Sequence, residues 1–167
     1  MASYYLTSPN VFNQKFAALD HRAQLVYLYI TSCRHRNSEG LFFLPMPYVA
    51  NDLGMSTEDV EAARQHLETE AFIAYDDGSE VILDRKALEF YQPVGQKQLL
   101  GAVRALQGVP KSPLKAELLK LAFHNAPDLA DAIVEKCGEL AGQVFPKGYP
   151  GSSQTADTPS QTEEATT

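Results

Sequence analysis

Four histidines and two cysteines are the nitrogen and sulfur metal ligands this 167-residue chain has to offer, and their spacing offers little. Cys33-Arg34-His35 is the one close Cys/His pair, while His21, His66 and His124 are scattered through helical stretches. Cys33 and Cys137 are far apart and each lies in an apolar helical pattern. They therefore read as reduced core residues rather than a zinc framework. Asp76-Asp77 could pass for a pair of catalytic carboxylates, but the run Asp76-Asp77-Gly78-Ser79 is what a tight turn needs. The phosphate-loop, nucleophile-elbow and dinucleotide-binding signatures are all missing from the chain. The expectation is a protein without catalytic residues, metal or cofactor, not an enzyme. Charge is the chemistry that remains.

The elements that would position those charges can be read from periodicity and punctuation. Asp20 is a good N-cap for a helix whose Ala23, Val26, Tyr27, Ile30 and Cys33 fall on one face. The N-terminal arm before it is expected to tuck Phe12, Phe16 and Leu19 onto the core. "GLFFLP" follows a loop and is too short and aromatic for a helix, so it predicts a short strand. Pro47 suits a helical first turn, and Gly54 suits the left-handed residue that ends that helix. Ser56 caps the next helix, which buries Val60, Ala63 and Leu67. "AFIAYDDGSEVILD" is two apolar runs around a turn, a β-hairpin signal.

Helix, strand, helix, turn, helix and hairpin in that order predict a mainly α fold with a small antiparallel sheet. The layout is a winged helix-turn-helix over residues 1–92 with the hairpin as wing. A helical module over 93–147 follows. Its stripes are Leu99, Leu100, Val103 and Leu106, then Leu114, Leu118 and Leu121, then Leu129, Ile133, Cys137 and Leu140. Residues 148–167, rich in Gly, Pro, Ser and Thr, predict a disordered tail.

Charge is distributed unevenly over this plan. Residues 1–92 hold seven Lys or Arg against thirteen acids, residues 93–150 seven against five, and the rest three acids and no base. The second helix of the pair, Ser56 to Ala71, carries Arg64 against five acids. Entry into a DNA groove would use Ser56 and Thr57 on phosphates and Arg64 and Gln65 on base edges. Its outward Glu58 and Glu61 fit a solvated or protein-facing helix equally well, so both readings stand. Arg34 and Arg36 either cap the first helix or meet the DNA backbone. Lys97, Arg104, Lys111, Lys115 and Lys120 face only Glu117 in their stretch, the one segment whose charge suits a phosphate backbone, although a plain solvated face would look the same.

The run from Lys15 to about residue 90, "KFAALDHRAQLVYLYITSCRHRNSEGLFFLPMPYVANDLGMSTEDVEAARQHLETEAFIAYDDGSEVIL", resembles the N-terminal winged-helix domain of phage replisome organisers and DnaD-like replication initiation proteins. In that group a helix precedes a glycine-led strand, and a helix pair and wing follow. The resemblance implies DNA binding in replication initiation or replisome assembly, in a phage or prophage. A protein-interaction module or a transcriptional regulator on the same fold is the alternative.

Net charge of −7 argues against tight nonspecific DNA binding by the whole surface. "MASYYLTSPN" lacks the basic flank and apolar run of a signal peptide, and no stretch approaches the roughly 20 apolar residues of a membrane span. The expected setting is cytoplasmic, in a host cell if phage-encoded. The expected partners are DNA, replication or transcription proteins, or a second copy of the chain, and no membrane.

Overall fold

The computed structural model describes residues 9–150. Most of the predicted tail, 151–167, lies outside the described residues. A 3-10 turn at Pro9–Val11 and the short helix α1 (Gln14–Ala17) lead into α2 (His21–Ser32). Strand β1 (Leu41–Phe43), helices α3 (Met46–Leu53) and α4 (Thr57–Thr69), and strands β2 (Ile73–Asp76) and β3 (Val81–Asp84) follow. A single turn α5 (Ala87–Phe90) precedes the last four helices: α6 (Gln96–Gly108), α7 (Leu114–Asn125), α8 (Pro127–Lys136) and α9 (Gly138–Val144). The fold is thus mainly helical with one small antiparallel sheet.

Local signals set the helix boundaries. The Asp20 carboxylate accepts from the backbone N–H groups of Arg22 and Ala23, both at 2.9 Å, filling two of the donors a helix start leaves open. Gly54 ends α3 at φ 63°, and the Ser56 hydroxyl accepts from Asp59 N at 3.1 Å to start α4. Between them, Gly54 and Ser56 make the tight corner of the helix-turn-helix. At Gly40 (φ +77°), a Cβ would fall 2.4 Å from that of Ala87, so glycine alone fits the entry to β1.

The sheet has the order β1-β3-β2, with Phe42 opposite Ile82 and Tyr75 opposite Ile82 from the other side. Because side chains alternate along a strand, each strand serves two cores. Phe42, Ile73 and Ile82 face the winged-helix core of Val26, Tyr27, Val49, Val60 and Leu67. Leu41, Ala74, Val81 and Leu83 face the second core, built with Val103, Leu118, Leu119 and Leu129. All four residues of β3 are buried. The sheet is therefore covered on both faces, by α2–α4 on one and by α6–α8 on the other.

Several sequence expectations shift. Phe16 and Leu19 join the core as expected, but Phe12 is 65% exposed, packing edge-on against the Phe16 ring from outside. In α6 the buried stripe is Ala102, Val103 and Leu106, leaving Leu100 out on the surface. The last apolar stripe is broken at Cys137 into α8 and α9, and that thiol is half-buried rather than a core residue. The predicted tail also begins too early. Tyr149 packs against Phe123 and Phe145 at centroid distances of 5.8 and 5.2 Å, and its hydroxyl donates to Asp131 at 2.7 Å.

Candidate nucleic-acid interface

The helix-turn-helix presents α4 as expected: Val60, Ala63 and Leu67 are buried, and Thr57, Glu58, Ala62, Gln65 and Thr69 are exposed. Ser56 is exposed as well, its hydroxyl engaged as the cap. The correction is Arg64. Rather than flanking an exposed face, it is 6% exposed and lies back under the hairpin. Its Nε donates to Glu61 at 2.9 Å, a second nitrogen reaches the other Glu61 oxygen, and a third donates to Glu68 at 2.5 Å. Asp77 in the hairpin turn is 3.6 Å away, and the guanidinium carbon stands 4.8 Å from the Tyr75 ring centroid. The arrangement satisfies the planar fork of arginine with carboxylates and an aromatic face.

Hydrogen bonding to Arg64 holds the Glu61 carboxyl below its ordinary range, and the same bond raises the guanidinium. Burial, aided by the charges of Glu80 and Asp77, pushes the Tyr75 phenol up to about 12. The Tyr75 backbone N–H donates to Glu68 and its hydroxyl donates to the Leu44 carbonyl, at 2.9 and 3.2 Å. The helix and the wing are thus clamped together. Gln65 is exposed but donates to Glu61 at 3.1 Å. What α4 turns outward is mostly carboxylate and short polar side chains.

Arg36 is a second correction. Neither a helix cap nor a surface cation, it pairs with Asp84 at 2.8 Å at the end of the central strand. The same Asp84 accepts from Tyr27 OH and Lys86 N, at 3.1 and 3.0 Å, and burial together with that carboxylate drives the Tyr27 phenol far up. Arg34 remains exposed at the end of α2. The Asp76-Asp77 pair does turn chemistry. Asp76 accepts from Gly78 N at 3.2 Å and from the Ser79 hydroxyl at 2.5 Å, and Ser79 and then Ser112 hold its carboxyl low. Ser112 belongs to the loop before α7, so the hairpin turn abuts the helical module and is acidic.

The second half keeps its cations outside. Lys97 and Arg104, seven residues apart and so nearly superposed along α6, are both exposed. Lys111 in the following loop and Lys120 on α7 are exposed too. None of these four makes an ion pair among the described residues. Lys115 departs from this pattern: it is half-buried and donates to the Val109 carbonyl at 2.6 Å. Glu117, the one acid of the stretch, turns away to Arg85 at 2.6 Å.

Sequence reasoning missed Tyr75 as the clamp for Arg64. The available signal was an aromatic on the hairpin's inner face next to a helix with one arginine among carboxylates. Among the described residues no helix is long and apolar enough to cross a membrane. Comparison with known proteins gives no matching family model, no matching curated protein and no matching solved structure.

Proposed function

We infer that this chain binds DNA through the exposed cations of α6, the loop after it and α7, with its winged helix as scaffold rather than reader. The setting is replication initiation or replisome assembly, the role implied by the resemblance. One observation carries the reading: Lys97, Arg104, Lys111 and Lys120 are exposed without carboxylate partners among the described residues. Such groups can release counterions from a phosphate backbone without first breaking an internal bond. A second reading rests on Arg64. With its one arginine neutralised, the outer face of α4 is acidic and suits a basic protein surface better than a groove of DNA.

Binding of fluorescent duplex and single-stranded DNA across a salt series tests both. Changing Lys97, Arg104 and Lys111 together to alanine should flatten the slope of log K against log salt by roughly two to three units, at about 0.9 per phosphate contact. Arg64→Ala with Gln65→Ala should leave that slope unchanged. If the triple change matches the wild type while the α4 pair abolishes binding, the helix-turn-helix is the reader. If the wild type binds no DNA at low salt, the protein-docking reading replaces this one.

A further inference from the structure

A cavity of about 790 Å³ lies between α6, the start of α7 and the α8–α9 junction. That is the size of a small-molecule site, which is usually apolar with a few placed polar groups. Its apolar lining comes from Leu41, Val103, Leu106, Leu118, Ile133 and Leu140. Leu41 belongs to β1, so the far end of the cavity touches the sheet.

The polar groups are unequal in sign. Lys111, Lys115 and Lys136 line the cavity, against Glu139 as its one carboxylate. Lys136 is engaged with Glu135 at 2.7 Å outside it. Lys115 differs: an ammonium has three N–H donors, and here one goes to the Val109 carbonyl while no carboxylate pairs with it. Half-burial without a counter-charge is costly to the charged form, and burial holds this amine below the usual lysine range. A carboxylate placed beside Lys115 would use the two remaining donors and supply the missing charge. Glu139 at the same lining disfavours a polyphosphate, which brings several charges at once.

We propose that this cavity binds a small amphipathic monoanion, its carboxylate on Lys115 and its apolar body against Val103, Leu106, Leu118 and Ile133. The carboxylate position does not depend on DNA binding, because Lys115 is turned inward; Lys111 alone is common to the cavity lining and the phosphate-binding surface.

Calorimetric titration of the full chain with decanoate, decanol and decylammonium, each below its aggregation limit, tests the proposal. Decanoate should bind saturably. Decanol should bind about tenfold or more weakly, the worth of a hydrogen bond to a charged group, and decylammonium weaker still. Lys115→Met should bring decanoate down to the level of decanol and leave decanol unchanged. A second readout needs no variant. Cys137 lines the cavity and is half-exposed, whereas Cys33 is buried, so decanoate should slow alkylation of Cys137 severalfold. Equal binding of decanoate and decanol, binding of decanoate undiminished in Lys115→Met, or alkylation of Cys137 at an unchanged rate would each overturn it.

Discussion

Arg22, Arg36, Arg64, Arg85 and Lys86 of the winged-helix half each sit within ion-pair distance of a carboxylate. In the helical half, Lys97, Arg104, Lys111 and Lys120 have no such partner among the described residues. The contrast follows from composition and residue type together. With thirteen acids to seven bases over 1–92, most arginines there meet a carboxylate, Arg34 just beyond α2 being the exception. An arginine fork can satisfy two carboxylates at once while half-buried. The second half is rich in lysine, a strongly hydrated point charge that stays outside there except at Lys115. Abundance of cations is therefore a poor guide to where a polyanion can bind; what counts is how many the fold has left uncommitted.

The sharpest test concerns the two cores. Leu67 is fully buried in the winged-helix core, and Leu67→Asp places an unpaired charge there at a cost of several kcal/mol, against a domain stability of about 5–15. Circular dichroism should show loss of the cooperative melt. An unchanged melt would mean that the buried face of α4 is misassigned.

Next in size is Arg64→Met. It strips Glu61, Glu68 and Asp77 of their shared cation, but those carboxylates are partly solvated, so the expected cost is about 1–2 kcal/mol by urea titration. Added salt should narrow the difference. No loss would mean that the pairing is ornamental and that the contrast between the halves is one of geometry only.

Asp20→Ala removes the cap of α2 and the 2.6 Å contact with His66, for about 1 kcal/mol. The backbone N–H of Ala23, with His66 next in weight, holds the Asp20 carboxyl below its ordinary 3.8. Its contribution is thus fully present above that ordinary value and is lost as pH falls through the lower folded value. The stability difference between wild type and Asp20→Ala should shrink in that acid window and stay constant above it. A difference that grows on acidification would reverse the sign of the linkage.

The smallest effect is expected where the cations are unpaired. Changing Lys97, Arg104 and Lys111 to alanine should move stability by no more than about 0.5 kcal/mol, as for surface sites without partners. A larger loss would reveal internal partners and weaken the case for a DNA-binding surface.

What was legible in the sequence was local. Asp20, Gly54 and Ser56 announce helix ends because caps are chemistry between residues two to four apart. The Val60, Ala63 and Leu67 stripe needs only helical periodicity. The Arg36–Asp84 pair, 48 residues apart, and the Tyr75 clamp on Arg64 depend on how the hairpin packs, which no window of sequence contains. Tyr149 was hidden for a related reason. One aromatic among Gly, Pro and Lys reads as tail until Phe123 and Phe145 are placed beside it. The lysine-rich stretch can be read off the sequence, but which of its cations lie exposed without a carboxylate, and that Lys115 turns inward, are properties of the fold.

Strand β3 carries a consequence for the timing of amide exchange. Its residues are hydrogen-bonded on both sides, to β1 and to β2, and alternate between the two cores. Each of its ladder amides donates to one neighbour, and neither neighbour can leave without opening both cores, because Leu41 and Phe42 of β1, like Ile73 and Ala74 of β2, are divided between them. Deuterium should therefore enter Val81–Asp84 last, at a rate set by opening of the whole molecule rather than of either half. Helix α9, at the margin of the second core, should exchange well before it. A protein that looks like a reading head with an appendage would then keep a single clock, with the strand they share as its slowest hand.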